Sequence, residues 1–213
     1  GEISNLFVLL ALRRIISLRT NLSVKKKLFD AAFWIGIASL FYFWAILFFP
    51  LIIVALLVYS LAYLKNWIIP FVGLLTVAII TISYLILMND SFGNLATVYQ
   101  STSFDFTNYN NLDFIIGISI LASLGIWSLF FYIKNLKEKT KRRRPSHSII
   151  INSILVGAII ILIAPNKDGS EIIFIFAPLS IIMSNYLESI KEKWFAEVFI
   201  WILILTPISY LIV

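Results

Sequence analysis

The sequence predicts an all-α membrane protein, a bundle of hydrophobic helices that crosses the bilayer several times. Of its 213 residues, 61% are hydrophobic and 13% are charged, and the mean hydropathy is +0.97. Soluble domains are about 45–50% apolar and about 25% charged, so a soluble fold could not bury this many apolar side chains. Long apolar runs recur along the chain, and basic residues gather at alternate connections between them. Both patterns are typical of a multi-pass membrane protein.

The number of crossings follows from the lengths of the apolar runs. One crossing needs about 20 residues, and we predict about seven spans. The run Leu28–Leu64 is too long for one crossing, and Pro50 lies near its middle. We therefore divide it into the short spans Leu28–Leu47 and Pro50–Leu64. The other spans are Trp67–Met88, Asp113–Ile133, Ser148–Ala164, Glu171–Leu187 and Trp194–Val213, and Ile3–Leu18 is a shorter candidate before them.

The basic residues support a double crossing of Leu28–Leu64. With two crossings there, every Lys and Arg except Lys167 falls on one face of the membrane. These residues lie in Arg13–Lys27, at Lys65, in Lys134–Arg144, and at Lys191 and Lys193. The positive-inside rule assigns that face to the cytoplasm. The net charge of +6 is then a topology signal, and we expect no nucleic-acid partner.

The chain is interpreted as one transmembrane domain over residues 1–213. It has an outer loop at 89–111 and a basic cytoplasmic loop at 134–147. A hairpin at Pro165–Ser170 holds the turn formers Asn166, Asp168 and Gly169. The first and last residues both lie in apolar stretches, so we expect the natural chain to be longer.

Several kinds of chemistry lack the residues they need. There is no cysteine, which excludes disulfides, iron–sulfur clusters and thiolate catalysis. A multi-histidine iron or zinc centre cannot be built from His147 alone, and we expect this histidine to be exposed in its basic loop. The sequence thus predicts no cofactor. The acidic residues Asp30, Asp113 and Glu171 look like helix caps, and we expect Asp30 to pair with a neighbouring lysine.

Two groups of residues remain as site candidates. The first could bind lipid phosphate or a protein partner at the basic face, or could simply be topogenic. The second group lies in the outer loop and could form a shallow site. Alternatively, this aromatic loop could simply lie on the surface of the bilayer. The basic group is Arg13, Arg14, Lys141, Arg142, Arg143 and Arg144, and the outer group is Asp90, Asp105 and Tyr109.

Two stretches near the start carry a resemblance to a known family. They are Asn5–Arg19, NLFVLLALRRIISLR, and Lys27–Trp44, which begins KLFDAAFW and ends SLFYFW. They resemble an uncharacterised polytopic inner-membrane family of Bacteroidota, filed as a domain of unknown function, and the similarity extends over most of the chain. Some members carry the name beta-carotene monooxygenase. Such an oxygenase is similar to other non-haem iron enzymes in needing several histidine ligands, and only His147 is available here.

The layout is also similar to that of the C-type integral-membrane glycosyltransferases, which use polyprenyl-phosphate sugars. Those enzymes have paired short spans and a catalytic Asp or Glu in the first outer loop. In this chain that loop would precede Gly1, so the resemblance assigns no catalytic residue.

From these observations we favour a non-catalytic subunit or scaffold of a bacterial inner-membrane complex. Its expected partners are the lipid bilayer and other proteins of that complex. The alternatives are a C-type-like membrane glycosyltransferase, or a fragment of one, and a small-molecule transporter. No predicted span carries an acidic residue near its middle, which weakens an ion-coupled transporter.

Overall fold

The computed structural model describes residues 1–88, 102–135, 144–165, 167–190 and 192–212. The described residues are mostly helical and include no strand, which confirms the all-α class. The α-helices are α1 Glu2–Ser17, α2 Val24–Phe41, α3 Phe49–Val58, α4 Leu64–Leu87, α5 Leu112–Lys134, α6 Arg144–Ile163, α7 Ile173–Ser189 and α8 Lys193–Ile212.

Three helices of the described chain are long and apolar enough to cross a membrane. They are Leu64–Leu87, Ile115–Lys134 and Arg144–Ile163. The helical segments Phe43–Val58, Ile173–Ser189 and Trp194–Thr206 are apolar but shorter. The structure therefore supports membrane association through these three helices, and the count of seven spans stays a prediction.

The long apolar run after Leu28 is divided into two helices, as the sequence predicts, but the division comes earlier. The helix α2 ends at Phe41, and Tyr42 is extended with φ −148°. A 3-10 segment at Phe43–Phe48 then leads into α3. Pro50 lies in the first turn of α3, where its missing N–H costs no helical hydrogen bond. The predicted span Leu28–Leu47 is therefore wrong at its end.

The first half of the bundle is built around α2, which packs on α1 and α4. Gly73 brings α4 close to α2, because a Cβ there would lie 2.9 Å from both the Ala32 Cβ and the Phe29 carbonyl oxygen. Gly36 similarly meets Val77. Ala32 thus lies beside Gly73, and Gly36, four residues further along α2, lies beside Val77, four residues further along α4. The helices α2 and α4 therefore run in the same direction, and the chain reverses between them.

Contacts between helix ends define two ends of the bundle. At one, the Tyr59 hydroxyl donates to the Ile16 carbonyl, and it lies 3.0 Å from the Ser146 hydroxyl. These contacts join α3, α1 and α6 where the sequence is basic, and we call this the basic end. At the other, Ser4 donates to the Ala38 carbonyl, and Gly1 lies against Ser170. We call this the hairpin end, since it holds the turn between α6 and α7.

The basic loop is shorter than predicted. The helix α6 begins at Arg144, so Arg144 to His147 form its first turn. His147 is partly buried, and its Nδ1 atom forms a hydrogen bond with the Tyr132 hydroxyl of α5. The prediction of a solvent-exposed loop histidine is therefore wrong, because the Tyr132 ring of α5 packs edge-on against the imidazole ring, with 5.0 Å between the ring centres.

Candidate functional site

A groove of about 510 Å³ lies between α1, α6 and α7 and reaches the basic end. Its volume falls within the usual range for small-molecule and cofactor sites. Most of its lining is apolar, and its polar members are Ser153 in α6 and a group at the end of α1. That group consists of Arg13, Ser17, Arg19 and Thr20.

The two adjacent arginines of α1 have different surroundings. Arg14 forms an ion pair with Asp30 of α2, with 3.1 Å between Nε and Oδ2. Arg13 lines the groove, and within the described ranges it forms no ion pair. Asp30 therefore pairs with an arginine of the neighbouring helix, so the expected pairing with a lysine is wrong. The structure separates Arg13, which can meet a ligand, from Arg14, which holds α1 to α2.

Arg19 is the basic groove residue that the sequence did not single out. It is exposed beyond the end of α1 and, like Arg13, forms no ion pair with the part of the chain that the structure describes. Lys27 lies beside it and donates to the Ser17 carbonyl and the Thr20 hydroxyl at 2.7 Å each. The mouth of the groove is thus strongly cationic.

The structure places none of the remaining predicted basic residues in the groove. Arg144 is exposed at the first residue of α6. It does not line the groove, so the structure does not bring it together with Arg13. Lys141, Arg142 and Arg143 lie outside the described residues, and so does Asp90 of the outer loop.

The hairpin end holds a buried polar cluster around Lys167. This side chain is only 2% exposed, and its ammonium donates to the Ile161 and Leu162 carbonyls. Those carbonyls end α6, where the helix dipole favours a positive charge. The ammonium also lies 4.7 Å from the centre of the Phe106 ring. Burial lowers the pKa of Lys167, and the nearby Glu171 carboxylate opposes that shift.

Glu171 is the second buried charged residue of this cluster. Its side chain is fully buried, and Oε1 accepts a hydrogen bond from the Tyr109 hydroxyl. Its Oε2 atom accepts no hydrogen bond from any described residue. Because α7 begins at Ile173, Glu171 is not the helix cap that the sequence predicts. Burial, followed by the bond to Glu171, raises the pKa of Tyr109.

The predicted acid Asp105 is not part of the cluster. It is exposed, and its carboxylate accepts the Thr107 backbone N–H at 3.0 Å. That bond lowers the pKa of Asp105 and stabilises the turn at Thr107–Tyr109. In the hairpin, Asp168 accepts the Ser170 N–H in the same way, and Gly169 adopts φ +87°. The predicted hairpin turn is thus confirmed at these two residues, whereas Asn166 lies outside the described chain.

The groove and the cluster cannot form one site. The start of α1 lies at the hairpin end, and Arg13 is twelve residues further along the helix, about 18 Å at 1.5 Å per residue. Of the predicted site residues, Arg13 thus reaches the groove and Tyr109 reaches the cluster. Within the described ranges, no three or more His, Cys, Asp or Glu side chains are grouped so that they could hold a metal ion.

Comparison with known families gives a match that covers residues 3–213. The chain belongs to DUF6427, a family of unknown function. The match extends over almost the whole chain, which agrees with the expected resemblance to a domain of unknown function. Comparison of this DUF6427 chain with curated proteins and with solved structures finds no match.

Proposed function

We propose that this chain is a multi-pass, non-catalytic subunit or scaffold of a bacterial inner-membrane complex. The observation that carries the proposal is the uncovered face of α5. Small residues lie at its centre, namely Ser119, Ala122 and Ser123, and all three are exposed. Within membranes, small residues at this spacing allow a second helix to approach closely.

The rest of this face is apolar and open. Large side chains flank the small residues above and below, and they are 43–68% exposed. They are Ile115, Ile116, Ile126, Trp127, Phe130 and Ile133. A Cβ on Gly117, nearby on α5, would meet no atom within 4 Å. This combination of a small-residue centre and a large apolar border suits the surface of a partner helix.

The glycosyltransferase alternative has less support from the geometry. Such an enzyme needs a carboxylate beside a phosphate-binding site. Here the buried carboxylate of Glu171 lies at the hairpin end, and Asp30, the carboxylate near the arginines of the basic end, is ion-paired with Arg14 and does not line the groove. The transporter alternative needs a polar cavity that reaches the bilayer midplane. Apart from Ser153, the polar residues of the groove lie at the end of α1, and the hydroxyls of Thr76, Thr81 and Ser128 donate to carbonyls of their own helices.

Cross-linking from single cysteines tests the subunit proposal. Residues 1–213 contain no native cysteine, so a photoactivatable maleimide would label this part of the chain only at the introduced thiol. Ser123→Cys places the probe on the α5 face, and Ile79→Cys is the control, since Ile79 is 55% exposed in the middle of α4. The full-length protein is labelled in native membranes, irradiated, and purified in mild detergent.

We expect Ser123→Cys to cross-link to one protein that also copurifies with the unlabelled chain in a fixed ratio. The Ile79→Cys control should cross-link mainly to lipid. Labelling of lipid alone from both positions would contradict the proposal. Purification of a lone chain that retains a polyprenyl-phosphate sugar would also contradict it, and would favour the transferase.

A further inference from the structure

The groove between α1, α6 and α7 changes character along its length. Its deeper part is lined by aliphatic side chains of α1, including Leu9 and Leu12, and by Ala177 and Pro178 of α7. Towards the basic end the lining changes to Arg13, Ser17, Arg19 and Thr20. A ligand that fills this groove therefore needs a long apolar part and an anionic, oxygen-rich end.

The charge at the mouth is uncompensated within the described chain. Asp30, which could neutralise one arginine, is already paired with Arg14. Arg13 and Arg19 form no ion pair there, and the Lys27 ammonium lies against Thr20 at the same edge. Guanidinium groups match phosphate oxygens well, because they can donate two parallel hydrogen bonds.

We infer that this groove binds one anionic phospholipid. The headgroup phosphate lies between Arg13 and Arg19, and an acyl chain lies along the aliphatic lining towards Pro178. A phospholipid with net negative charge fits better than a zwitterionic one, because the latter brings its own cation to a site that is already positive. A free phosphate would leave the apolar part of the groove unfilled.

The orientation of the site agrees with the proposed topology, in which the basic end faces the cytoplasm. The headgroup would then lie at the level of the inner leaflet, where anionic lipids attract juxtamembrane Lys and Arg. That topology decides only which leaflet supplies the lipid. Binding itself can be measured in detergent, so a wrong subunit proposal would not affect the result.

The test uses the whole chain, delipidated in an uncharged detergent. The protein is titrated with dioleoyl phosphatidylglycerol or dioleoyl phosphatidylcholine, and the dissociation constant is taken from the shift of the thermal unfolding midpoint. The variants are Arg13→Gln/Arg19→Gln and a matched control, Lys25→Gln/Lys26→Gln. The control removes the same two charges from the same end, but Lys25 and Lys26 are exposed residues outside the groove.

We expect phosphatidylglycerol to raise the midpoint of the wild type and phosphatidylcholine to have little effect. The arginine double variant should bind phosphatidylglycerol at least about tenfold more weakly, and the lysine control less than about threefold. Equal losses in the two double variants would overturn the inference, because they would show diffuse charge attraction. Equal binding of the two lipids by the wild type would also overturn it.

A second variant tests the apolar half of the site. Ala177→Leu adds bulk to the groove wall and leaves every arginine in place. If an acyl chain lies there, this variant should bind phosphatidylglycerol more weakly than the wild type does. A glycerophospholipid with short acyl chains should bind equally well to the variant and to the wild type. Unchanged binding of the long-chain lipid would overturn the acyl-chain placement. Comparison of unfolding midpoints without lipid shows whether the variant is folded.

Discussion

Tyr109, in the turn before α5, donates a hydrogen bond to Glu171, in the turn before α7. The two residues are 62 positions apart, and the bond fixes the end of the outer loop onto the hairpin. Lys167 contacts the same loop through Phe106. The hairpin end is thus closed by polar contacts that involve buried charges.

Tyr109→Phe should lower the free energy of unfolding by about 2 kcal/mol. The change removes a bond to a charged acceptor and leaves both oxygens of the buried Glu171 without a described donor. Tyr63→Phe is the matched control, since Tyr63 is 69% exposed. Denaturant unfolding in mild detergent measures both. Equal effects of the two substitutions would contradict the assigned role of the Tyr109 hydroxyl.

The same hydroxyl predicts a pH dependence. Burial raises the pKa of Tyr109 above its ordinary value near 10. Its stabilising contribution is therefore complete below pH 10 and is lost as the pH rises above 10, where the unfolded chain ionises first. The stability difference between wild type and Tyr109→Phe should shrink in that alkaline range. A constant difference from pH 7 to pH 11 would be inconsistent with the raised pKa.

Lys167→Met should destabilise the protein by about 2 kcal/mol. It removes two charge-assisted hydrogen bonds to the last carbonyls of α6 and the contact of the ammonium with Phe106. Lys65→Met, at an exposed position, should change stability by less than about 0.5 kcal/mol. Thermal unfolding midpoints measure both variants, and equal midpoints would contradict the stabilising role of the Lys167 ammonium.

Substitution by alanine should have opposite effects on stability at two helical glycines. In Gly73→Ala the new methyl group would meet the backbone of α2 at 2.9 Å, and we expect a loss of about 1–3 kcal/mol. In Gly117→Ala the methyl group would enter open space, and the higher helix propensity of alanine should give no loss or a gain of up to about 1 kcal/mol. A neutral Gly73→Ala would show that α2 and α4 pack more loosely than described.

The sequence alone predicts the class of this fold and several of its divisions. Apolar runs and turn residues locate the helices, and Pro50 marks the start of α3 because proline is tolerated in a first turn. The end of α2 was misplaced, because nothing in the apolar stretch from Phe41 to Phe48 distinguishes an α-helix from a 3-10 segment.

The candidate sites were harder to predict, because they depend on which helices meet. Arg13 and Arg14 are equivalent in sequence, and only the contact of α1 with α2 assigns Arg14 to Asp30 and leaves Arg13 to the groove. Glu171 looks like a cap until the loop before α5 folds over it. One signal could have identified Lys167, because it is the only basic residue on its predicted face.

In the proposed topology, the basic end and the hairpin end lie on opposite sides of a membrane. Labelling of single cysteines in intact cells with a membrane-impermeant maleimide tests it most directly. Leu22→Cys reports the basic end and Asn108→Cys the hairpin end, and both positions are exposed. We predict that Asn108→Cys is labelled in intact cells once the outer membrane is opened, and Leu22→Cys only after the inner membrane is permeabilised. Labelling of both positions from the same side would contradict the account.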